Sequence, residues 1–225
     1  MNNLVGGVIL AGGLSRRMGG QEKGMVLLGN KTILSRVIEK AKPQTEKLIL
    51  NANGNSQRFK DYKLKVVKDS ISNYPGPLAG ILSGMEWMSQ NFENATWLAS
   101  FPCDAPFIPT NFVERCLYKI PSNTEIVCAK SVGRVHPVCA LWKIELMNDL
   151  NTAIEKEGVR KIDKWTKNYN IHFVEFENIF SLADFTIDKG ALRCAKKLLV
   201  ATNVFIFSNF KTTILFSAVS NKLPI

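Results

Sequence analysis

The chain has 225 residues, 46% of them hydrophobic and 21% charged, which fits one globular domain and excludes intrinsic disorder, collagen and coiled coils. Its five cysteines form no C-x-x-C pair and no apolar run reaches eighteen residues, so we expect a cytoplasmic protein without a zinc ribbon, a disulfide framework or a membrane span. The net charge of +10 is concentrated after residue 188, where six basic and no acidic residues occur, and this distribution argues against a nucleic acid partner.

The predicted elements alternate between strands and helices along the chain. Apolar runs at residues 5–10, 48–50, 64–67 and 97–101 predict buried strands, and residues 125–130 and 138–142 predict two more. Thr32 is placed to cap a helix that ends before Pro43, and apolar residues at helical spacing predict a second helix over residues 78–88. Further helices are predicted at residues 109–119 and 144–157. This alternation predicts an α/β fold with three layers, in which a mostly parallel sheet carries helices on both faces.

The segment after the first predicted strand has the densest functional signal, at a strand end where ligands bind in such sheets. Gly12 and Gly13 allow a sharp turn close to a ligand because neither has a Cβ. Exposed backbone N–H groups in such a loop bind anions, and Arg16, Arg17 and Lys23 add positive charge for phosphate groups. The spacing matches neither a Walker A loop nor a Rossmann G-x-G-x-x-G motif. The structural alternative is a plain Gly-Gly turn followed by solvated arginines.

Residues 10–23 read L-A-G-G-x-S-x-R-M-G-x-x-x-K, which resembles the signature with which sugar-nucleotide-type nucleotidyltransferases hold an NTP triphosphate. Further segments narrow the resemblance. They are Asn51-Ala-Asn53, Asp69, Tyr74-Pro-Gly-Pro-Leu-Ala-Gly80, Pro102-Cys-Asp-Ala-Pro-Phe107 and His136-Pro137. Together they resemble the MobA family of molybdenum cofactor guanylyltransferases over residues 5–180, and we expect residues 1–188 to form one nucleotidyltransferase domain with a Rossmann-like fold.

The resemblance implies a Mg²⁺-dependent transfer of GMP from GTP to the molybdopterin-bound molybdenum cofactor, with release of pyrophosphate. The attacking phosphate of molybdopterin is already a nucleophile, so catalysis would depend on positioning and on charge neutralisation rather than on a general base. The implied partners are GTP, molybdopterin, and other cofactor-biosynthesis proteins or acceptor molybdoenzymes. We expect the chain to be a monomer.

The resemblance also assigns roles to single residues. Arg17, Lys23 and Asp104 would be catalytic, with Asp104 holding Mg²⁺, which proteins bind through one or two carboxylates, phosphates and water. The loop at residues 74–80 would line the guanine pocket. The residues expected to bind the nucleotide and its metal are Leu10, Ala11, Gly12, Gly13, Lys23, Asn51, Asp69 and Asp104.

Several of these side chains have structural alternatives. Asp104 could cap a helix or a turn, and Asn51 and Asp69 could form local Asx turns. Cys103 is expected to be a packing residue, because no base is placed next to it in the sequence. For His136, a structural role and a role at the second substrate are weighted equally.

The resemblance fails near the C-terminus. Family members carry an F-x-N-x-N-T-P-x-D-L stretch where this chain reads Phe185-Thr-Ile-Asp-Lys-Gly-Ala-Leu192. We expect residues 189–225 to form a C-terminal helix and an apolar, basic tail packed on the same domain, altered by divergence or by a shift of reading frame. Two functional alternatives stay open: a nucleotidyltransferase that uses another NTP, such as CTP, or another acceptor, and a nucleotide-binding protein with impaired turnover.

Overall fold

The central sheet begins with β1 (Leu4–Leu10), a buried apolar strand. The computed structural model of the chain describes residues 4–12, 23–71 and 76–177. The further strands in these ranges are β2 (Leu27–Leu28), β3 (Lys31–Thr32), β4 (Lys47–Asn51), β5 (Lys65–Val67), β6 (Ala95–Pro102), β7 (Ile126–Ser131), β8 (Arg134–Lys143) and β9 (Ile171–Glu175). The α-helices are α1 (Ile33–Ala41), α2 (Pro77–Asn91), α3 (Phe112–Leu117), α4 (Met147–Glu155) and α5 (Ile162–Trp165). Short 3-10 helices lie at Lys23–Met25, Lys42–Gln44, Ser56–Tyr62, Ile144–Leu146 and Thr166–Asn168.

The main sheet has seven strands in the order β5-β4-β1-β6-β8-β7-β9. β1 pairs in parallel with β4 and β6, β4 pairs in parallel with β5, and β7 pairs in parallel with β9. β8 is antiparallel to both of its neighbours, β6 and β7. All strands of this sheet except β8 therefore run in one direction, which confirms the predicted mostly parallel sheet. The carboxyl ends of β1, β4, β5 and β6 consequently meet at one edge.

Helices cover both faces of the sheet. Successive side chains of a strand point to opposite faces, so β1 contributes residues to an apolar cluster on each side. On one face, Val5 and Ile9 of β1 belong to an apolar cluster with residues of α1 and α3. On the other face, Val8 belongs to a second cluster with residues of α2, α4 and α5. The predicted three-layer α/β architecture is confirmed. Within the three described ranges, no helix is long and apolar enough to cross a membrane.

The first predicted helix forms as the local signals indicate. Thr32 is the N-cap of α1, and its Oγ1 accepts a hydrogen bond from the backbone N–H of Ser35 at 3.1 Å. The helix ends at Ala41, and Pro43 lies in the short 3-10 helix that follows. Both predicted boundaries are confirmed.

Other boundaries differ from the prediction. The strand predicted at residues 138–142 begins at Arg134, because Val132 and Gly133 have φ of 50° and 74° and form the tight turn of a hairpin with β7. The helix predicted at residues 109–119 is limited to Phe112–Leu117, since its C-cap residue Tyr118 is extended, with a ψ of 117°, and Lys119 after it has a φ of 50°. The short hairpin of β2 and β3 and the edge strand β9 were not predicted.

Two buried thiols test the packing between α3 and β7. Burial raises the pKa of Cys116 and of Cys128 from 9.0 to about 12, because a thiolate there would lose its hydration. Both thiols should resist iodoacetamide at pH 9 in the folded chain, whereas the partly exposed Cys103 should be alkylated. Peptide mass mapping after a short labelling pulse measures this difference. Labelling of Cys116 as fast as Cys103 in the folded chain would contradict the packing.

The same shift sets a pH dependence of stability. The folded-state pKa of each thiol lies above its unfolded value of 9.0, so the folded chain retains a proton that the unfolded chain loses. The stabilising contribution of each thiol is therefore complete below pH 9 and decreases as the pH rises toward about 12.

Candidate functional site

Four strand ends bring the predicted site residues to one edge of the sheet. Leu10, the last residue of β1, is in register with Asn51 at the end of β4 and with Pro102 at the end of β6. Asp69 and Asp104 follow the ends of β5 and β6. Because these strands are parallel, their carboxyl ends share the edge at which ligands bind in sheets of this kind.

Lys23 and Asp104 form an ion pair at this edge, although they are 81 residues apart in the chain. Their Nζ and Oδ2 atoms are 3.4 Å apart, and the side chains are 40% and 16% exposed. The buried Gly24 packs beside this pair, since a Cβ there would be in van der Waals contact with the carbonyl oxygen of Cys103 and with Cβ of Leu34, each at 3.4 Å. The pair places a partly exposed cation beside a more enclosed carboxylate, a combination suited to an anionic group and a divalent cation.

Backbone hydrogen bonds extend the sheet beyond β1 and β6. The N–H of Ala11 donates to the carbonyl oxygen of Asn51 at 2.9 Å, and the N–H of Cys103 donates to the carbonyl oxygen of Leu10 at 3.3 Å. A Cβ on Gly12 would lie 3.4 Å from Oδ1 of Asn51. The backbone of the predicted residues Leu10, Ala11 and Gly12 therefore passes directly beside the Asn51 side chain.

The side chain of Asn51 is held by residues at and after the end of β5. Its Nδ2 donates to Oδ1 of Asp69 at 2.8 Å and to the carbonyl oxygen of Val67 at 3.3 Å. Nδ2 of Asn53 donates to the second carboxylate oxygen, Oδ2 of Asp69, at 2.7 Å. Asn51 is buried, whereas Asp69 is partly exposed. Asn51 and Asp69 thus join one network across neighbouring strand ends, rather than two local Asx turns.

The first turn of α2 forms a wall beside this network. The loop predicted at residues 74–80 ends earlier than expected, because Gly76 is the N-cap of α2 and Pro77 is its first residue. A Cβ on Gly80 would overlap Oδ1 of Asn51 and would lie 2.8 Å from Cδ2 of Leu10. Gly80 is therefore required for the close approach of α2 to the carboxyl edge.

Substitution of this glycine gives a test of the wall. Gly80→Ala should weaken binding of the expected nucleotide about tenfold and lower the free energy of unfolding by about 1–3 kcal/mol, as overpacking does, although alanine favours helix. Gly84→Ala is the matched control in the same helix, because its Cβ would lie 3.0 Å from Leu98 and 3.2 Å from Val8, away from Asn51. Calorimetric titration and urea unfolding of both variants separate the two effects. Equal loss of binding in both variants would contradict the specific role of Gly80.

Some predicted residues lie outside the described ranges, and their placement stays a prediction. They are Gly13, Arg16, Arg17, Tyr74, Pro75 and all of residues 178–225, which include the altered segment at residues 185–192. Within the described ranges, no group of three or more His, Cys, Asp or Glu side chains is arranged to hold a metal ion. A Mg²⁺ ion at Asp104 would therefore depend on a single described carboxylate. This arrangement fits Mg²⁺, which completes its coordination with phosphate oxygens and water.

His136 and Cys103, which the sequence also singled out, lie within the described ranges. Nε2 of His136 lies 2.6 Å from Oγ of Ser131 in the hairpin of β7 and β8, which is a structural contact. A role of His136 at a second substrate stays a prediction. Cys103 packs against the apolar cluster that contains α1 and α3, as expected of a packing residue.

The sequence did not assign a role to two residues that lie at the site. Asn53 was part of a quoted motif without a role of its own, and Gly24 was not selected. The signal for Asn53 is its spacing of two from Asn51, because alternate residues of extended chain point to the same side. For Gly24 the signal is weaker, a glycine directly after the phosphate-binding candidate Lys23.

Known proteins resemble this chain over most of its length. The family described as MobA-like NTP transferase domain matches residues 7–170. A molybdenum cofactor guanylyltransferase of Rhodopseudomonas palustris (strain BisB5) is 41% identical over 170 residues, which cover 75% of this chain and 81% of that protein. The family match at residues 7–170 includes both strand ends that carry Asn51 and Asp104.

Two solved structures share the fold. Molybdopterin-guanine dinucleotide biosynthesis protein A from Archaeoglobus fulgidus aligns with a TM-score of 0.60 at 21% identity, covering 87% of this chain and 89% of that chain. A CMP:2-keto-3-deoxy-manno-octonic acid synthetase complexed with CTP aligns with a TM-score of 0.64 at 12% identity, covering 87% and 96%. At these identities the alignments show a common Rossmann-like nucleotidyltransferase fold and nothing finer.

Proposed function

The chain belongs to the MobA-like NTP transferase family, and we propose that it transfers GMP from GTP to the molybdenum cofactor with release of pyrophosphate. The observation that carries the proposal is the meeting of Lys23 and Asp104 at the strand ends that also hold Asn51. The relative from Rhodopseudomonas palustris, a molybdenum cofactor guanylyltransferase by name, supports guanine as the base and this cofactor as the acceptor. The fold alone does not choose the base, since a CTP-bound synthetase has it too.

In the proposed reaction, an oxygen of the terminal phosphate of molybdopterin attacks the α-phosphorus of GTP. A P–O bond forms there while the bond to the oxygen that bridges to the β-phosphate breaks, and the electron pair leaves with pyrophosphate. The attacking oxygen already carries negative charge, so no side chain has to remove a proton. The chain must position the two substrates and offset their negative charge.

We assign the triphosphate to Lys23 and Asp104. The ammonium of Lys23 is a compact, partly exposed cation, and its pairing with Asp104 is weak enough to be exchanged for phosphate oxygens. Asp104 would hold Mg²⁺, which supplies positive charge against the triphosphate when bound. By family resemblance, Arg17 would contact the same phosphates.

We assign the guanosine to the strand ends of β1, β4 and β5. The backbone of Leu10, Ala11 and Gly12 lies beside Asn51, and Asn51 is bound to Asp69. Backbone groups and an amide–carboxylate pair offer the donors and acceptors that a base edge and ribose hydroxyls require. Gly13 belongs to the same set by resemblance.

We propose that residues 1–188 act as a monomeric nucleotidyltransferase domain in the cytoplasm, with residues 189–225 as an appended segment. Other cofactor-biosynthesis proteins would deliver the molybdenum cofactor, and acceptor molybdoenzymes would receive the dinucleotide product.

The direct test is a reaction of the full chain with GTP, Mg²⁺ and the molybdenum cofactor, in which pyrophosphate and the dinucleotide cofactor are quantified. The proposal predicts equal amounts of the two products, and a rate at least about a hundredfold lower with CTP, as hydrogen-bonded base selection provides. Product formation with CTP alone would replace the proposal by a cytidylyltransferase. GTP binding without pyrophosphate release would favour a nucleotide-binding protein with impaired turnover.

A further inference from the structure

The amide of Asn53 makes a two-point contact with Asp69. Its Nδ2 donates to Oδ2 of Asp69 at 2.7 Å, and its Oδ1 accepts from the backbone N–H of Asp69 at 3.0 Å. Because one end of the amide donates and the other accepts, the two bonds determine which way round this amide points. They also hold the carboxylate of Asp69 in one orientation relative to its own backbone.

The backbone of Asn53 is held independently of Asp69. Arg58 donates from Nη2 to the carbonyl oxygen of Asn53 and from Nη1 to that of Asn55, each at 2.7 Å. Its guanidinium also lies 4.5 Å from the ring centroid of Phe59, which is buried. Asn53 is therefore anchored to the 3-10 helix after β4 and can constrain Asp69 rather than follow it.

Asp69 and the backbone of Val67 together determine which atom Asn51 presents. Oδ1 of Asp69 and the carbonyl oxygen of Val67 both accept from Nδ2 of Asn51, so the donor end of this amide is occupied inside the fold. The acceptor atom, Oδ1 of Asn51, faces Gly12 and Gly80. An acceptor in that position favours a base with N–H groups on its edge. Guanine has both a ring N–H and an exocyclic amino group there, whereas hypoxanthine lacks the amino group.

We propose that Asn53 is a positioning residue for base selection. It holds the Asp69 carboxylate, which in turn orients the Asn51 amide so that its oxygen is offered to the base. The identity of that base rests on the proposed function, whereas the chain of hydrogen bonds does not. Without Asn53, Asp69 can rotate away, and the Asn51 amide is then held only by the longer bond from its Nδ2 to the carbonyl oxygen of Val67. Its oxygen is presented to the base less firmly, and selection between bases weakens.

The test compares Asn53→Ala with Asn55→Ala. Asn55 is the matched control because it is an exposed asparagine of the same loop, and its Oδ1 caps the 3-10 helix by accepting from the backbone N–H of Gln57 at 2.9 Å. In Asn53→Ala, the ratios of kcat/KM for GTP over ITP and for GTP over ATP should fall about tenfold, mainly through a higher KM for GTP. The midpoint of thermal unfolding should change little, since the lost hydrogen bonds are exposed to water. Asn55→Ala should leave both ratios unchanged.

Each outcome decides the inference. Unchanged ratios in Asn53→Ala overturn it, whatever happens to stability, and so does an equal fall of the ratios in Asn55→Ala. If the wild-type chain prefers a nucleotide other than GTP, the proposed function fails, and the inference stands only if Asn53→Ala reduces that other preference. A wild-type chain without any base preference overturns both.

Discussion

Replacing Asp104 by alanine should reduce kcat/KM for pyrophosphate release about a thousandfold, on the order of 4 kcal/mol, because the charge of a bound divalent cation would be lost. The carboxylate of Asp104 is mostly enclosed at the carboxyl edge and is the described group to which we assign Mg²⁺. Asp104→Asn keeps the shape but not the charge and should lose activity to a similar extent. The free energy of unfolding should change by less than about 1 kcal/mol, since a partly exposed ion pair contributes little. Kinetics over a series of Mg²⁺ concentrations and urea unfolding measure the two effects.

The control for Asp104 is a carboxylate in a comparable ion pair elsewhere. Glu145 lies 3.1 Å from Lys143, which pairs with Trp97 near the start of β6, at the opposite edge of the sheet. Glu145→Ala should leave activity and its Mg²⁺ dependence unchanged. Retained Mg²⁺-dependent turnover in Asp104→Ala would remove the metal assignment. Inactivity accompanied by unfolding would instead indicate that Asp104 is a structural turn residue.

Replacing Lys23 by alanine should cost about 2–4 kcal/mol of transition-state stabilisation, the value of one preorganised donor on the transferring phosphates. Lys23 is placed for this role by its contact with Asp104 at the carboxyl end of β6. Lys23→Arg keeps the positive charge, on a planar guanidinium instead of an ammonium, and should lose less activity. Because the lost contact is with the triphosphate, binding of GTP should weaken while binding of GMP should not. Calorimetry with both nucleotides and steady-state kinetics measure this.

Lys143→Ala is the matched control for Lys23. It removes the lysine of an ion pair at the opposite edge of the sheet and should alter neither turnover nor the ratio of GTP to GMP affinity. If Lys23→Ala changed thermal stability alone, Lys23 would be a structural partner of Asp104 and its assignment to the triphosphate would be wrong.

The fold could be predicted where a local signal coincided with the hydrophobic pattern. Thr32 and Pro43 bound the first helix because a capping oxygen and a missing N–H act within one turn of chain. The beginning of β8 was misplaced because Pro137 interrupts its pattern, while the signal of the turn lies in Gly133. β9 has no buried residue and depends on its parallel pairing with β7, a contact between distant parts of the chain.

The site could be predicted as a set of residues but not as a network. Asp69 and Asp104 were recognisable because each follows a strand end, where the loops of a parallel sheet gather. The hydrogen bond from Asn51 to Asp69 depends on the register of β4 and β5, and the overlap at Gly80 depends on how closely α2 packs. Register and packing distance are tertiary properties, so neither contact follows from residue type and spacing alone.

The measurement that tests the central claim most directly is a calorimetric titration of the full chain with GTP, ATP, CTP and UTP in the presence of Mg²⁺. We expect selective binding of GTP, because we assign the base to the acceptor oxygen of Asn51, which faces Gly12 and Gly80, and the triphosphate to Lys23. Equal binding of the four nucleotides, or tighter binding of CTP, would contradict the assignment of guanine. The chain would then be a nucleotidyltransferase-family protein with a different substrate.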